Sequence, residues 1–335
     1  MTTRTLSQLS VPIISAPMAG GPSTPELAAA VTRAGGLGML AGALLDMETF
    51  AAQIDSLREL TFGVNLFLPD DPTEADVDAY AHTLAPWFRK FDVSPGDMPR
   101  RDDRYREKFA WLVEHPVPLV TSTFGTFDAA ETEALHQVGT EVWCTVTSGA
   151  EAMEADAAGV DALIVQGPEA GGHRGSFDGS APEVSLIDLL ADVRSASDLP
   201  RIAAGGLMDG HDIAPLLAGG SAHAAQLGTA FLDTHEAGTR PVHREQLTAN
   251  PETAVTRAFS GRPARGLVNE FMQTFGADAP LAYPDVHYLT APMRAKAGAA
   301  GDPSALSMWA GTGHSRARNA AASELMAEWA QQLGR

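Results

Sequence analysis

Short apolar runs alternate with amphipathic segments along most of the chain. Each run has the length of a β-strand, and the segment after it has the apolar spacing typical of a helix. The strands predicted from these runs are Pro12–Ala16, Leu37–Leu40, Phe62–Leu66, Pro118–Ser122, Glu141–Val146, Ala162–Val165, Arg201–Ala204 and Ala224–Leu227. Eight repeats of strand and helix predict an α/β protein folded as a closed (β/α)8 barrel, a TIM barrel. A doubly wound parallel sheet is the alternative.

Helices are predicted between these strands, at Pro25–Ala34, Met47–Leu60, Asp128–Val138, Glu151–Ala158, Leu186–Ser195 and Ile213–Leu217. The first has clear end signals, because Ser23 or Thr24 can cap it and Gly35 follows it. Two segments stand outside the repeat. Residues 69–115, after the third strand, predict a helical insertion, and residues 233–335 predict a mostly helical C-terminal region. We therefore expect a barrel at residues 1–232, with the C-terminal region packed over its mouth.

The composition is typical of a protein with a large hydrophobic core, and the net charge disfavours some classes of binding partner. Of the 335 residues, 44% are hydrophobic and 19% are charged, as in a typical globular protein. The formal net charge of −19 disfavours binding to nucleic acid or to an anionic membrane. No apolar run reaches the roughly 18 residues of a membrane span, and no signal peptide is apparent. We expect a cytoplasmic protein that acts on small molecules, with homo-oligomer formation left open.

Cysteine and histidine are placed in ways that disfavour metal and thiol chemistry. Cys144 is the only cysteine, which excludes an internal disulfide and a multi-cysteine metal site. It lies in the middle of a predicted strand, EVWCTV, so we predict a buried packing role rather than a nucleophile. The histidines show no metal-binding spacing such as HExxH. We expect no metal cofactor.

One histidine lies where a parallel barrel places its chemistry, at the C-terminal end of a strand. The sixth predicted strand leads into QGPEAGGHRG, Gln166–Gly175, which holds His173 in a glycine-rich loop. The ordinary pKa of an imidazole lies near neutrality, so His173 is a candidate general base. The alternative is a mobile surface loop that carries an incidental histidine.

Other predicted strands also end in glycine turns or neutral amides. The seventh ends in AAGG, Ala203–Gly206, and the eighth in QLGT, Gln226–Thr229. Such turns after the last two strands of a barrel commonly bind a phosphate through backbone amides. The amides of Asn65, Gln166 and Gln226 can hydrogen-bond the edge of a heteroaromatic ring without adding charge. All of these groups are expected on one face of the barrel.

Together these segments resemble the nitronate monooxygenase family, formerly called 2-nitropropane dioxygenases, in its class I pattern. Its members are FMN-dependent TIM-barrel enzymes. The matching segments are PIISAPMAGG (Pro12–Gly21), FGVNLF (Phe62–Phe67), QGPEAGGHRG (Gln166–Gly175), AAGGLMDG (Ala203–Gly210), QLGTAFL (Gln226–Leu232), YPDVHYLTAPMR (Tyr283–Arg294) and WAGTGH (Trp309–His314). The resemblance therefore covers nearly the whole chain.

The resemblance implies non-covalent FMN, with its phosphate over the glycine turns and its ring against the strand ends. The residues implied for cofactor binding are Ala16, Pro17, Met18, Asn65, Gln166, Gly171, Gly172, Gly205, Gly206, Gln226, Leu227, Gly228 and Thr229. His173 would stand at the substrate side. Tyr283 and Tyr288 are candidates for lining the substrate pocket, with helix packing as the alternative. The chain departs from the family pattern at Thr312, where glutamine is expected, and in a slightly longer segment between Gly206 and Gln226.

The implied activity is the oxidation of alkyl nitronates or nitroalkanes by O2 to a carbonyl compound and nitrite. In it, His173 would remove the proton on the carbon that bears the nitro group. One alternative is an NAD(P)H-dependent FMN reductase of the same superfamily, acting on enoyl thioesters or quinones. The other is a flavin-binding barrel without catalytic activity.

Overall fold

The computed structural model describes residues 2–69, 75, 77–97, 101–179, 183–249 and 252–335. Its strands are β1 (Ile13–Ser15), β2 (Gly38–Ala41), β3 (Phe62–Phe67), β4 (Leu119–Thr123), β5 (Glu141–Val146), β6 (Ala162–Gln166), β7 (Gly172–His173), β8 (Arg201–Ala204), β9 (Ala224–Leu227), β10 (Thr253–Thr256) and β11 (Ala264–Leu267). Eight of these pair in parallel in the order β1-β9-β8-β6-β5-β4-β3-β2. Hydrogen bonds from Ser15 N to Leu37 O and from Leu37 N to Ile13 O, each 3.0 Å, close the ring beside β2. The predicted (β/α)8 barrel is confirmed.

Helices connect the barrel strands, and further helices belong to the insertion and to the C-terminal region. They are α1 (Arg4–Gln8), α2 (Pro25–Arg33), α3 (Met47–Asp55), α4 (Val77–Phe91), α5 (Tyr105–Glu114), α6 (Ala129–Gln137), α7 (Gly149–Ala157), α8 (Leu186–Ala196), α9 (Gly210–Ala218), α10 (Pro241–Ala249), α11 (Glu270–Phe275), α12 (Asp285–Ala300) and α13 (Ala322–Gln332). α9 begins at Gly210 rather than at the predicted Ile213, because Asp209 Oδ1 accepts from the amides of His211 and Asp212. None of the helices in the described ranges is both long and apolar enough to cross a membrane.

Two apolar layers stabilise the barrel. Its interior is filled by side chains such as Met39, Trp143 and Ile164, all at most 1% exposed. Burial of each large apolar side chain contributes about 1.5–3 kcal/mol. Cys144 points instead into the layer between strands and helices. Burial raises the pKa of its thiol to about 12, so the cysteine is protonated and has the predicted packing role.

The insertion after β3 packs on the C-terminal region. Its described part contains α4 and α5, and residues 70–74, 76 and 98–100 of the predicted insertion lie outside the described residues. Tyr80 and Trp87 of α4 share an apolar cluster with Phe259, Phe271 and Val286 of the C-terminal region. The insertion and the C-terminal region thus share one hydrophobic core.

The C-terminal region also contains a β-hairpin that the prediction of a mostly helical segment missed. β10 and β11 pair in antiparallel fashion, and β11 then pairs with β7. The segments TAVT and ARGL lie outside the alternation of strand and helix from which the barrel strands were predicted, and ARGL contains a charged residue and a glycine. The hairpin brings the C-terminal region directly against the loop that follows β6.

Candidate active site

A cavity of about 410 Å³ lies at the C-terminal ends of the barrel strands and is walled on its other side by the C-terminal region. This is the size and place of ligand sites in parallel barrels. Among the described residues that line it, the side chains charged at neutral pH are Arg240 and Arg294, and none is a carboxylate. In a protein of net charge −19, such a lining favours a neutral or anionic small molecule.

The turn after β1 forms one wall of the cavity. Ala16, Pro17 and Met18 all line it. The hydroxyl of Ser23 accepts from Met18 N at 2.7 Å and donates to Ala16 O at 3.2 Å. Ser23, one of the two expected caps of α2, therefore fixes this turn, while Thr24 caps the helix.

Glycine turns after β8 and β9 meet the segment around Gly311. Gly205 and Gly206 have φ angles of +121° and +71°, a left-handed backbone that glycine adopts without steric cost. Thr229 Oγ1 accepts from Gly311 N at 2.9 Å. A Cβ added to Gly171 would lie 2.5 Å from Gly311 N, so the loop after β6 packs closely on the same segment. Backbone surfaces of this kind are suited to holding a phosphate.

Two amides offer complementary groups to the cavity. Asn65 Oδ1 accepts from the hydroxyls of Thr121 at 2.8 Å and Thr123 at 3.0 Å. With its oxygen engaged, Asn65 has only its Nδ2 hydrogens to offer a ligand. Gln226 is buried, and its Oε1 has no hydrogen-bond partner among the described residues. Both amides line the cavity, and a donor and a free acceptor there fit the polar groups of a heteroaromatic ring.

Gln166 shapes the loop that carries the reactive histidine. Its Nε2 donates to His173 O at 3.0 Å, and its Oε1 accepts from Gly175 N at 2.7 Å. On the other side of the loop, His173 pairs with Ala264 of β11. The backbone of His173 is therefore held between the barrel and the C-terminal hairpin.

Four aromatic rings surround the imidazole of His173. The distances between ring centroids are 6.1 Å to Phe67, 5.8 Å to Phe124, 5.6 Å to Tyr283 and 5.6 Å to Trp309. Phe124 has a φ of +77°, a backbone conformation that a bulky residue rarely adopts and that is found most often at functional sites. The rings cover much of the imidazole, which remains partly exposed on the side that lines the cavity.

This environment changes the acid–base properties of His173. Burial, and then the positive charges of Arg262 and Arg294, lower the pKa of His173 to about 3. The expectation of a pKa near neutrality is therefore wrong for the cavity without substrate, because neither burial nor these charges can be read from the loop sequence. The imidazole is neutral throughout the physiological range, so its base form is available.

Nearly all predicted cofactor residues line the cavity. Those that do are Ala16, Pro17, Met18, Asn65, Gln166, Gly171, Gly172, Gly205, Gly206, Gln226, Gly228 and Thr229. The side chain of Leu227 packs instead in the apolar layer outside the barrel, because successive side chains of a strand point to opposite faces and Gln226 takes the inner one. Thr312 is exposed and contacts Glu169 through its backbone, N to O at 3.0 Å.

The two predicted tyrosines occupy different places. The ring of Tyr283 stands edge-on to the imidazole of His173. The backbone of Tyr288 lies against the insertion, where a Cβ added to Gly96 would meet Tyr288 O. Burial and then the carboxylates of Asp103 and Asp102 raise the pKa of the Tyr288 phenol. Neither of the two tyrosines suggested as pocket residues is among the residues that line the cavity, although the ring of Tyr283 contacts His173, which lines it.

Three contributors to the site were missed as site residues by reasoning from the sequence. Arg294 and Trp309 line the cavity and lie within YPDVHYLTAPMR and WAGTGH, so the motifs marked their neighbourhood but not their roles. Ser260 also lines the cavity, and its Oγ lies 2.9 Å from His173 Nε2. It belongs to none of the motifs, and no pattern in a single sequence indicates its contact with His173, 87 residues away.

Comparison with known proteins agrees with this geometry. The sequence model of the family described as Nitronate monooxygenase matches residues 3–332. The chain belongs to the nitronate monooxygenase family. It is 34% identical over 328 residues to a probable nitronate monooxygenase of Staphylococcus saprophyticus, covering 93% of this chain and 92% of that protein. A probable nitronate monooxygenase of Staphylococcus aureus is 34% identical over 314 residues, covering 90% of this chain and 88% of the relative.

Solved structures of the same fold include two informative neighbours. Nitroalkane oxidase from Streptomyces ansochromogenes is 45% identical, with a TM-score of 0.96 over 99% of this chain and 98% of that one. FabK from Thermotoga maritima is 27% identical, with a TM-score of 0.76 over 99% of this chain and 97% of that one. The chain is therefore an oxidoreductase of a flavin-dependent family, and its relatives support activity on nitroalkanes or nitronates.

Proposed function

We propose that this protein binds FMN in the cavity and oxidises nitroalkanes and their nitronates with O2, giving a carbonyl compound and nitrite. The observation that carries the proposal is the placement of a neutral histidine, His173, in a cavity lined by glycine turns and amides but, in the described ranges, by no carboxylate. Atoms balance when two nitroalkane molecules and one O2 give two carbonyl molecules, two nitrite ions and two protons.

The residues present fit FMN. Gly205, Gly206, Gly228 and Thr229 would hold its phosphate through their backbone, as glycine turns at these strand ends do in other barrels. The free acceptor on Gln226 Oε1 is a buried polar atom that the ring of FMN could satisfy. The remaining contacts expected of the ring are with Ala16, Pro17, Met18, Asn65, Gln166, Gly171 and Gly172. Bound FMN would supply the electron acceptor that the side chains lack, and would pass electrons to O2.

His173 would act before the oxidation, by taking the proton from the carbon that bears the nitro group. Its low pKa keeps the imidazole neutral and in its base form, but also makes it a weaker base before the substrate binds. The proton transfer creates a nitronate anion beside the new imidazolium, and this opposite charge raises the pKa of the imidazole while the anion is present. Arg294, in the wall of the same cavity, favours the anion through its positive charge.

The proton step can be tested by comparing neutral nitroalkanes with preformed nitronates. His173→Asn should lower kcat/KM for a neutral nitroalkane by about 100-fold or more, the usual contribution of a general base, and change it far less for the nitronate. His211→Asn is a matched control, because His211 is exposed on α9. Equal loss on both substrate forms would remove the base role and leave a binding role for His173.

A reductase is the second candidate, and the likeness to FabK of Thermotoga maritima at 27% identity is the observation that favours it. The two candidates differ in their electron donor. Oxygen uptake and nitrite release by the FMN-loaded protein with an alkyl nitronate, without NADH, would support the oxidase. Absence of uptake, together with rapid bleaching of the flavin by NADH under anaerobic conditions, would overturn the proposal in favour of the reductase.

A further inference from the structure

The contact between His173 and Ser260 links the barrel to the C-terminal region at the imidazole proposed as the base. His173 belongs to the loop after β6, whereas Ser260 lies between β10 and β11 in the C-terminal region. The distance from His173 Nε2 to Ser260 Oγ is 2.9 Å, and the side chain of Ser260 is 1% exposed. A hydrogen bond at this depth is protected from competition with water.

The backbone around Ser260 is anchored on several sides. Thr290 Oγ1 donates to Phe259 O at 2.6 Å. Ala282 N donates to Gly261 O at 2.9 Å, and the hydroxyl of Tyr80 donates to Ala258 O at 2.9 Å. One of these bonds comes from α4 in the insertion, and the other two come from α12 and the segment just before it. The hydroxyl of Ser260 is therefore held at a fixed place beside the imidazole.

The other contacts of the hydroxyl favour one direction for its hydrogen bond with His173. Ser260 Oγ lies 3.2 Å from Arg262 O, to which it can only donate, and 3.4 Å from Arg262 N, from which it accepts. A hydroxyl carries one hydrogen, so a Ser260 that donates to this carbonyl must accept from the imidazole. In the neutral ring, the proton then resides on Nε2 and the lone pair on Nδ1. No hydrogen bond from a described residue reaches Nδ1 of His173.

We infer that Ser260 is a positioning residue that selects the tautomer of His173 with its proton on Nε2, so that Nδ1 is the atom that accepts the substrate proton. The inference rests on the proposed role of His173 as the base. In the transfer, the bond from carbon to hydrogen breaks, its electron pair stays on the nitronate, and the proton binds Nδ1. Ser260 then accepts a stronger, charge-assisted hydrogen bond from Nε2 of the imidazolium.

The tautomer can be measured without turnover, by 15N NMR of the FMN-loaded protein labelled at histidine, with the His173 signals assigned by their loss in His173→Asn. We expect a protonated Nε2 and an unprotonated Nδ1 in the parent protein. In Ser260→Ala, the preference for Nε2–H should weaken, and in Ser260→Thr, which keeps a hydroxyl, it should return. A proton on Nδ1 in the parent protein, or a tautomer unchanged in Ser260→Ala, would overturn the inference.

Kinetics supply a second readout. Ser260→Ala should lower kcat/KM for a neutral nitroalkane by about 10- to 100-fold, part of the contribution of the base, and leave the preformed nitronate nearly unaffected. Ser176→Ala is the matched control, because Ser176 is a buried serine in the adjoining segment whose Oγ has no partner among the described residues. A Ser260→Ala loss that is equal on both substrate forms, or no larger than that of the control, would contradict the positioning role.

The two proposals can fail separately. If His173→Asn impairs both substrate forms equally, the base role fails, while the NMR signals still report whether Ser260 sets the tautomer. If His173→Asn separates the two substrate forms but Ser260→Ala changes neither the tautomer nor their ratio, the base role stands and the inference about Ser260 fails.

Discussion

The hydroxyl of Thr121, on β4, donates to Asn65 Oδ1, on the neighbouring strand β3, at 2.8 Å inside the barrel. Thr123 makes the same contact from two residues further along β4, at 3.0 Å. Two donors on one oxygen leave the amide a single orientation, in which Nδ2 alone can serve a ligand. The threonines thus determine what Asn65 offers at the strand ends.

Replacing both threonines tests this relationship. In the double variant Thr121→Val and Thr123→Val, the amide of Asn65 loses its two donors and can rotate. We expect the Kd for FMN to rise about 5- to 10-fold, since each buried hydrogen bond is worth about 1 kcal/mol. Fluorescence titration of the apoprotein measures this. Thr132→Val is the control, because Thr132 Oγ1 is buried on α6 without a partner in the described ranges; equal effects of the two changes would count against orientation of the amide.

The low pKa of His173 predicts the pH dependence of the proton step. Its base form exists above a pKa of about 3, so protonation of His173 removes activity only as the pH falls through that value. For a neutral nitroalkane, we expect kcat/KM to stay level between about pH 5 and pH 6.5, where an ordinary histidine would lose most of its base form. A fall of activity centred near pH 6.5 in initial-rate measurements would mean that the imidazole keeps its ordinary pKa.

Buried neutral histidines also make stability depend on pH. Burial is the largest cause that lowers the pKa of His173, of His243 (to about 4) and of His287. Between each lowered pKa and the ordinary value of about 6.5, the unfolded chain binds protons that the folded protein does not, so stability falls as the pH falls. Each group adds up to about 1.4 kcal/mol per pH unit. Urea unfolding at pH 7.5 and pH 5.5 should show the decline, and His243→Gln should reduce it; a free energy of unfolding that is the same at both pH values would refute this expectation.

Substitutions at two glycines with left-handed backbones allow the effect of backbone strain to be measured separately from the effect on ligand binding. Gly205→Ala puts a Cβ at a φ of +121°, 3.0 Å from Ala170 N in the cavity wall, whereas Gly139→Ala puts one at +82° in open space. Both changes should lower the free energy of unfolding by about 1 kcal/mol or more, because alanine tolerates neither angle. Only Gly205→Ala should also weaken FMN binding, as measured by titration. Similar affinity for FMN in the two variants would show that Gly205 does not contribute to the phosphate site.

The barrel and the place of its site could be predicted from the sequence because both depend on local patterns. Strands such as Glu141–Val146 are short and largely apolar runs, and glycine turns such as Gly205-Gly206 follow from the backbone conformations that glycine permits. The pairing of β7 with β11 could not be predicted, since a two-residue strand has no period. Nor could the pKa of His173, which depends on burial and on charges such as Arg262 that only the folded chain brings near.

The pairing of β7 with β11 has a consequence for how the enzyme is made. All eight barrel strands, β1 to β6, β8 and β9, precede β11 in the chain, so they are synthesised before the strand that pairs with β7 and supports His173. Until the hairpin docks, the loop with His173 is held by Gln166 but not by β11, and Ser260 does not yet contact the imidazole. A chain truncated near residue 250 would contain every barrel strand and yet lack both β11 and Ser260, which hold His173 in place.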